Sequence, residues 1–553
     1  MSKNITIRCK NTGRSYRVPV GYNLEELYEM VDLGMPHGAT SAKVNNKVEG
    51  LHYMFFNDKD VEFLDVTSSS GLRTYTRSVF FMLYKAVRDL FGNARLRIDS
   101  HVSNGYYCQL ELEGGVTPEV VDKLKQRMQQ MVAEAIPFHR ITCPTDQAIE
   151  RFRADGLDDK ARLLEGVGSL YTTYYTLGDT ADYFYGSLLI NTSQIYLFDL
   201  MLFGEGLLLR LPDPSHPSQL SPMVEQSKIF GVLREQHRWN SILGVSTVGD
   251  LNKACAEGHV NDLINVSEAL QEKKISRIAD RIAANPDIRV VLIAGPSSSG
   301  KTTFAKRLSI QLMACGLRPV PISTDDYFVD RTLTPRDENG DYDFEHINAM
   351  NCQLLTSQLN ALIHGEEVEP PRYDFESGKS VPSGHRLKLA EHDVLILEGI
   401  HALNPVLTEG VESKHKFKIC ASALTTILLD DHNYIPTSDN RLLRRIVRDH
   451  KYRARTAQET IHQWPSVRRG EERWIYPFQQ EADEMVNTAL LFELAALRDQ
   501  ALPLLEQVPE NCPEYSEAYR LRRFLHYLNP ISIHGLPPTS LLREFLGGSS
   551  FKY

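Results

Sequence analysis

One stretch, residues 288–303, constrains the fold of this chain more than any other part of its sequence. It reads IRVVLIAGPSSSGKTT, and its apolar run Val290–Ala294 predicts a buried parallel strand. The following loop fits G-x-x-x-x-G-K-[ST], a pattern whose glycines let backbone N–H groups turn inward onto phosphate oxygens. Phe304, Leu308 and Leu312 recur at helical spacing, so a helix begins where the loop ends. The pattern predicts a site for a nucleoside triphosphate. Its residues are Gly295, Pro296, Ser297, Ser298, Ser299, Gly300, Lys301, Thr302 and Thr303.

Two side chains of this loop have separate tasks. We expect Lys301 to reach the β- and γ-phosphates as a point charge, and the Thr302 hydroxyl to contact Mg²⁺. The positive end of the following helix lies beneath the phosphates and adds to their attraction. The loop therefore predicts both a triphosphate and a magnesium ion as ligands.

Composition limits the kind of protein that carries this motif. The chain has 553 residues, 42% of them hydrophobic, and a net charge of −10, which argues against broad coating of nucleic acid. Its eight cysteines are scattered without a C-x-x-C pair, which favours reduced thiols over disulfides or a zinc ribbon. The N-terminus lacks a signal sequence and no stretch approaches a membrane span, so we expect a soluble, cytoplasmic protein.

Further apolar runs indicate the architecture around the loop. Residues 319–323, 394–397 and 417–421 read as strands, with helical patterns between them. Strands that alternate with helices predict a doubly wound α/β fold with a parallel sheet. Ligands of such sheets bind at the carboxyl ends of the strands.

Carboxylates follow two of these predicted strands. Asp325 and Asp326 follow the second strand, where a carboxylate would face the departing γ-phosphate and take a proton from the acceptor. The alternative is that both aspartates cap the next turn. Glu398 ends the third strand, where it either holds Mg²⁺ through water or is a plain surface residue.

Residues 440–455 predict a helix rich in arginine. Arg441, Arg444 or Arg445, and Arg448 share one face, because they are spaced by three or four residues. Such a helix is solvated, binds nucleic acid, or covers the triphosphate as a lid, and the acidic chain favours the lid. The predicted triphosphate-binding arginines are Arg441, Arg445 and Arg448.

Residues 1–66 read as a small α+β module. The predicted elements are a hairpin of residues 5–9 and 15–20, the helix Leu24–Val31, and short strands at 42–44 and 61–64. This order suggests a β-grasp, ubiquitin-like fold, and it resembles the TGS domain of threonyl-tRNA synthetases and some regulatory GTPases. That resemblance implies binding or regulation and assigns no catalytic site.

Residues 67–212 are similar to the second, α+β domain of threonyl- and alanyl-tRNA synthetases. That domain carries an H-x-x-x-H pair and a later Cys and His around an editing or metal site. The matching positions here are Arg77, Phe81, Phe184 and Leu188. Phenylalanine and leucine neither ligate zinc nor transfer protons, so we expect a non-catalytic domain without zinc.

The remaining chain divides into three parts. Residues 213–285 begin with a proline-rich linker and continue as a helical connector, and residues 286–500 form the P-loop domain. Residues 501–553 are a helical extension with an apolar tail. The sequence leaves open whether this tail docks on the P-loop domain or on a second subunit, and hence whether the chain is a homo-oligomer.

The P-loop domain resembles the uridine/cytidine kinase and phosphoribulokinase family. The motifs that carry the resemblance are GPSSSGKTT, STDDYF, DYDFEH, RYDF, LILEGI and RLLRRIVRDHKYRAR, in the family's order and spacing. The resemblance implies ATP and Mg²⁺ as cofactors, with Asp325 as general base and Glu398 as the Mg²⁺-associated acid. It also implies acceptor-binding roles. The residues concerned are Asp343, Phe344 and His346 for the ribose, Tyr373 and Phe375 for the base, and Arg453.

One departure from the family concerns the base. Pyrimidine-specific members place a histidine three residues after the second aromatic residue, where it contacts the base edge, but this chain has Gly378. A missing side chain widens the pocket or leaves recognition to backbone and water. His401 is close enough in sequence to replace some lost contact, or it is structural.

These observations support three hypotheses. The first is an ATP-dependent kinase that phosphorylates the 5′-hydroxyl of a nucleoside, with uridine and cytidine favoured. The second is a related kinase for a sugar phosphate or other small alcohol, ranked lower because only Arg372 adds a cation near Asp343 and Tyr373. The third is a regulatory ATPase that associates with RNA or tRNA through its N-terminal half, but it leaves the general base Asp325 without a task.

Overall fold

The computed structural model describes residues 4–338, 340–374 and 376–552. Its N-terminal region is a five-stranded sheet with one helix. The elements are β1 (Asn4–Cys9), β2 (Arg14–Pro19), α1 (Leu24–Val31), β3 (Ser41–Val44), β4 (Lys47–Glu49) and β5 (Lys59–Leu64). The strand order is β2-β1-β5-β3-β4, with β1 and β5 parallel. Asn23 and Glu26 form a reciprocal capping box, which fixes the start of α1. The predicted hairpin, helix and short strands are confirmed.

Helices and antiparallel sheets alternate in the second region. Its long helix α2 begins at Ser69, because the Ser68 side chain caps it. The sheets have the orders β10-β9-β8 and β11-β12-β7-β6. The elements are α2 (Ser69–Phe91), β6 (Leu96–Val102), β7 (Gly105–Leu110), α3 (Pro118–Glu134), β8 (Phe138–Pro144), α4 (Thr145–Ala154), α5 (Asp158–Val167), β9 (Tyr171–Leu177), β10 (Thr180–Asp182), β11 (Asp199–Phe203) and β12 (Gly206–Arg210).

The proline-rich segment contains a short hairpin that the sequence does not predict. Pro217 fits an edge strand of this two-stranded sheet, because an edge position does not require its missing N–H. The helices after it confirm the predicted helical connector, and α8 packs its isoleucines against the P-loop helix. The elements are β13 (Pro212–Asp213), β14 (His216–Leu220), α6 (Ser227–Ile242), α7 (Val248–Ala256) and α8 (Val260–Ala283).

A five-stranded parallel sheet forms the centre of the next region. Its order is β16-β19-β15-β20-β23, so the strand before the P-loop lies in the middle. The elements are β15 (Val290–Ala294), α9 (Lys301–Ala314), β16 (Arg318–Ser323), α10 (Cys352–Ile363), β17 (Pro371–Asp374), β18 (Lys379–Pro382), β19 (Asp393–Glu398), β20 (Lys416–Ser422), β21 (Leu428–Asp430), β22 (Asn433–Tyr434), α11 (Thr437–Arg453), α12 (Ala457–Trp474) and β23 (Glu484–Asn487). The four predicted strands and the parallel sheet are confirmed, and β23 is an additional edge strand.

The C-terminal extension is helical. It comprises α13 (Glu493–Glu506), α14 (Tyr515–Leu525) and α15 (Arg543–Leu546). Leu541, Leu542, Phe545 and Leu546 are almost fully buried against the P-loop region. The apolar tail therefore docks within its own chain. Among the helices of the described residues, none combines the length and the apolar character that crossing a membrane requires.

Candidate functional site

The P-loop connects β15 to α9 at the carboxyl edge of the parallel sheet. Gly295 lies so close to the carbonyl oxygen of Ala421 that a Cβ at this position would overlap it. Gly300 precedes α9 with a φ of +80°, in the left-handed region that favours glycine. These two glycines therefore permit the close approach and the turn that a phosphate-binding loop needs, and the predicted strand–loop–helix order is confirmed.

Two glutamates from distant parts of the chain contact amides of this loop. The Ser297 N–H donates to Oε1 of Glu471 on α12, at 3.2 Å. Thr303 donates its N–H and its hydroxyl to Oε2 of Glu544 on α15, at 3.3 and 2.7 Å. Backbone N–H groups at a helix N-terminus attract phosphate and carboxylate oxygens alike. The loop is thus an anion site by its own chemistry, and its donors fit the phosphates of ATP.

Glu398 ends β19 beside the loop, where a magnesium ligand is expected. Its Oε1 accepts hydrogen bonds from Thr302 Oγ1 at 3.3 Å and from Ser323 Oγ at 3.4 Å. Burial raises the pKa of Glu398 to about 7, and the charge of Asp325 adds to this rise while Lys301 opposes it. A cation at this carboxylate would relieve the cost of its charge, so Thr302 and Glu398 fit a Mg²⁺ site.

Asp325 and Asp326 lie in a 3₁₀ turn, Thr324–Tyr327, directly after β16. The Asp325 N–H donates to Ser323 Oγ at 3.3 Å, so Ser323 caps this turn and the aspartates do not. Asp326 Oδ1 accepts from the N–H of Tyr373 at 3.5 Å. Both carboxylates face the same cleft as Lys301. Asp325 therefore lies in the same cleft as the lysine of the P-loop.

A cleft of about 2640 Å³ runs from the P-loop towards the N-terminal region. The predicted acceptor residues along it are Asp343, Phe344, Tyr373 and Arg453. His346 does not line the cleft, because its ring packs on Trp474 with the centroids 4.5 Å apart. His401 is 1% exposed and also lies outside the lining, which favours its structural alternative. Phe375 lies outside the described residues, so its predicted role stays a prediction.

The arginine side chains of helix α11 lie in two different surroundings. Arg441 and Arg444 are 1% and 0% exposed, and they pair with Glu471 and Glu493 behind the P-loop. Arg441 Nε also donates to the carbonyl oxygen of Ser297 at 3.0 Å. The donors of Arg441 thus already have protein partners. Its predicted role as a phosphate ligand stays a prediction.

The other arginines of α11 face the cleft. Arg445, Arg448 and Arg453 line it, and Arg445 donates to Ser297 Oγ at 2.7 Å. The positive charge of Arg448, followed by burial, lowers the pKa of Arg453 to about 10. Asp449 pairs with all three of these arginines, at distances from 2.7 to 3.7 Å. Crowded cations of this kind are suited to an anionic ligand such as a triphosphate.

Several site residues are not predicted from the sequence. Glu345 is 8% exposed, and its Oε2 has no hydrogen-bond partner within the described residues although it faces the cleft. The DYDFEH motif contains it, but our prediction chooses its neighbours Asp343 and His346. Glu471 and Glu544 reach the loop from more than 150 residues away, and no sequence signal indicates such contacts.

The positions that match the synthetase ligands belong to a packed core. Arg77 donates from Nε and Nη2 to the carbonyl oxygen of Ser187 at 3.1 and 3.0 Å. The rings of Phe81 and Phe184 lie 5.7 Å apart, and Leu188 is 1% exposed. The part of the chain that the structure describes contains no group of three or more His, Cys, Asp or Glu side chains able to hold a metal ion.

Comparison with known proteins separates the two halves of the chain. Residues 290–490 match the model of the phosphoribulokinase / uridine kinase family. A uridine kinase of Halobacterium salinarum is 32% identical over 196 residues, which cover 35% of this chain and 77% of that protein. A uridine kinase of Lactobacillus helveticus is 31% identical over 199 residues, 36% of this chain and 85% of that protein.

The N-terminal region is similar to a different class of enzyme. A threonine–tRNA ligase of Desulforamulus reducens is 27% identical over 183 residues, 33% of this chain. The match spans only 29% of the length of that ligase. The chain therefore joins a kinase-like region to a threonine–tRNA ligase-like region, as the sequence predicts.

Proposed function

The chain belongs to the phosphoribulokinase / uridine kinase family, and on that premise we propose that it transfers the γ-phosphate of ATP to the 5′-hydroxyl of a nucleoside. Uridine and cytidine are the acceptors we favour. One observation supports this proposal above the others. Ser323 and Ile293 both lie opposite Glu398 in the sheet, so Asp325 follows β16 at the edge that also carries the P-loop. The P-loop and a carboxylate able to take the proton of an acceptor hydroxyl thus share one cleft.

In the proposed reaction, ATP supplies the phosphoryl group and Mg²⁺ offsets the charge of its phosphates. The loop amides and Lys301 would hold the phosphates, and Thr302 and Glu398 would hold the ion. Asp325 accepts the proton of the acceptor hydroxyl as its oxygen attacks the γ-phosphate. Arg445 and Arg448 stabilise the negative charge on the transferred group.

A phosphorylation panel tests this proposal. Nucleosides, sugar phosphates and sugar alcohols are offered with ATP and Mg²⁺ to the wild type, Lys301→Ala and Asp325→Asn. We expect nucleoside phosphorylation by the wild type and a fall in kcat of about 10²–10⁴-fold in Asp325→Asn. The matched control is Asp287→Asn, an exposed aspartate outside the cleft. ATP hydrolysis stimulated by RNA, with no nucleoside phosphorylated, would contradict the proposal.

We further propose that the N-terminal regions bind or regulate and do not catalyse. The strand order β2-β1-β5-β3-β4 around α1 supports a TGS-like β-grasp module, and the core packing of Phe81 and Phe184 supports a domain without editing chemistry. We expect no stoichiometric zinc in the purified protein. Elemental analysis that finds one zinc per chain would contradict this part of the proposal.

A further inference from the structure

We propose that Arg331 recognises the acceptor nucleoside by donating hydrogen bonds to a carbonyl oxygen on the edge of its flat base. This inference rests on the proposed function and makes its substrate class narrower. It assigns the base contact to a residue that lies far from Gly378 in sequence. The acceptors it favours are nucleosides whose base presents a carbonyl where cytosine and adenine present an amino group.

The position of Arg331 supports this assignment. Its N–H donates to the carbonyl oxygen of Gly378 at 2.8 Å, which ties the segment after Asp325 to the turn between β17 and β18. A Cβ built on Gly378 would lie 2.8 Å from both Cζ and Nε of Arg331. The guanidinium therefore occupies the space that a side chain at position 378 would need. Arg331, Asp325 and Tyr373 line the same cleft.

Backbone geometry keeps this space available to Arg331. Gly378 has a φ of +69°, a conformation that side chains rarely adopt. A larger residue here would be strained and would displace the guanidinium. The absence of a side chain at this position thus accommodates an arginine from another segment.

The chemistry of arginine determines which bases Arg331 would favour. A guanidinium has five N–H donors and no acceptor, so it pairs with a carbonyl and not with an amino group. Uracil carries a carbonyl at the position where cytosine carries an amino group, and guanine and adenine differ in the same way.

Competition between uridine and cytidine tests the inference. The ratio of kcat/KM for the two nucleosides is measured for the wild type, Arg331→Gln and Arg336→Gln. Arg336 is a matched control, because it lies in the same segment, packs on Tyr342 and does not line the cleft. We expect a wild-type preference for uridine of roughly 10-fold or more, retained in the control. Glutamine both donates and accepts, so Arg331→Gln should bring the ratio to within about 3-fold of unity.

The outcomes separate this inference from the proposed function. A wild-type preference for cytidine, or an unchanged ratio in Arg331→Gln, overturns the role of Arg331 while the kinase activity stands. A wild type that phosphorylates only sugar phosphates overturns both. Arg331→Lys is a second variant that keeps the charge but loses the paired donors, and we expect it to recover only part of the preference.

Different contacts carry a second inference, which rests on ATP binding. We infer that the C-terminal segment competes with the phosphates of the nucleotide. Glu544 accepts hydrogen bonds from the N–H and the hydroxyl of Thr303 at the N-terminus of α9, where a phosphate would bind. A carboxylate and a phosphate cannot use the same donors together.

Neighbouring contacts hold the segment in this place. Leu541 Cδ2 lies 2.5 Å from where a Cβ on Gly300 would be. Lys451 of α11 donates to the carbonyl oxygen of Leu546 at 2.7 Å, and the Arg444 guanidinium stands 5.0 Å from the ring centre of Phe545. The tail thus touches both the P-loop and the arginine-rich helix. Binding of a phosphate at Thr303 would therefore displace Glu544. The contacts of Lys451 and Arg444 with the tail connect this displacement to α11.

Nucleotide affinity tests this competition. The Kd of ATP is measured by equilibrium binding for the wild type, Glu544→Ala, Glu544→Gln and the exposed control Glu506→Gln. We expect roughly 10-fold tighter binding in Glu544→Ala, a smaller gain in Glu544→Gln, and no change in the control. Unchanged or weaker binding in both Glu544 variants overturns the inference. A wild type that binds no ATP at all overturns the proposed function as well.

Discussion

At the residue scale, the pKa of Glu345 depends on its burial and on the charged side chains around it. Burial raises its pKa to about 7, and the nearby charge of Glu471 adds to the rise. Arg445, Lys301 and Arg441 oppose it with weaker effects. The carboxyl group is therefore costly to ionise inside the folded protein. Its Oε2 has no hydrogen-bond partner among the described residues, so a ligand hydroxyl that reached it would meet a group able to donate or accept a hydrogen bond.

We expect Glu345→Gln to change the pH dependence of stability. In the unfolded chain Glu345 ionises near 4.5, and in the folded chain near 7. Its contribution to the free energy of unfolding is therefore full below pH 4.5 and is lost as the pH rises through 7. The loss approaches about 3 kcal/mol at most. The melting temperature of Glu345→Gln relative to the wild type should rise between pH 5 and pH 8.

A matched substitution controls for the loss of any glutamate. Glu366 is exposed on the loop after α10, and Glu366→Gln should show the same small difference from the wild type at both pH values. If the melting temperature of Glu345→Gln relative to the wild type is equal at pH 5 and pH 8, burial does not raise the pKa of Glu345.

At the scale of elements, one part of the surface of α11 packs inside the protein and another part lines the cleft. Arg444 Nη2 lies 2.6 Å from Glu493 Oε2, and both side chains are at most 2% exposed. Arg444 also donates to the carbonyl oxygen of Thr488 at 3.0 Å. Glu493 is the first residue of α13, where a negative charge is favourable. This buried pair joins α11 to α13 behind the P-loop.

Breaking this pair should destabilise the protein far more than breaking an exposed one. Arg444→Met leaves the carboxylate of Glu493 buried without its cation, so we expect a loss of about 3–5 kcal/mol. The double variant Arg444→Met/Glu493→Gln should regain part of this loss, because no lone charge stays buried. Thermal unfolding of the single and double variants measures the difference.

An exposed pair provides the comparison. Glu367 and Arg386 have side chains that are 50% and 73% exposed, and Glu367→Gln should cost less than about 1 kcal/mol. A double variant less stable than Arg444→Met would argue against an unpaired carboxylate as the cause.

The elements of the sheet can be predicted from the sequence. Which arginines of α11 are buried and which line the cleft cannot. Apolar runs and a glycine-rich loop are local signals, and they predict β15, α9 and the strand ends that carry Asp325 and Glu398. Helical spacing alone places Arg441 and Arg444 on one face with Arg448. What separates them is the position of Glu471 and Glu493, which lie 30 and 49 residues further along the chain. Contacts between distant elements have no local signal.

At the scale of the molecule, a buried ionic cluster joins the synthetase-like region to the kinase-like region. Lys160 Nζ lies 2.8 Å from Asp182 and 2.7 Å from Asp430, and all three side chains are 0% exposed. Asp182 belongs to the synthetase-like region and Asp430 to the hairpin β21–β22 of the kinase-like region. His432 of the same hairpin lies 2.8 Å from Asp182. The continuous apolar core around this cluster contains residues of both regions.

A sequence-based division into domains does not anticipate this connection. Residues 67–212 and 286–500 each contain the elements of a separate fold, and their patterns predict two units. The two-stranded hairpin between β20 and α11 lacks a sequence signal that would associate it with a distant lysine. Because the charges are fully buried, separation of the two regions would expose Lys160 and both aspartates to water and remove their shared apolar core.

We expect the two regions to unfold together and Lys160→Met to destabilise both. Methionine fills much of the volume but leaves Asp182 and Asp430 buried without their cation, a loss of several kcal/mol. Far-UV circular dichroism reports the whole chain, and binding of a fluorescent ATP analogue reports the P-loop. Their midpoints on heating should coincide in the wild type and fall together by roughly 5–10 °C in Lys160→Met. Lys123→Met, at an exposed lysine of α3, should leave both midpoints unchanged. If nucleotide binding keeps its wild-type midpoint while the dichroism melts early, the regions are independent, and the cluster joins them without coupling their stability.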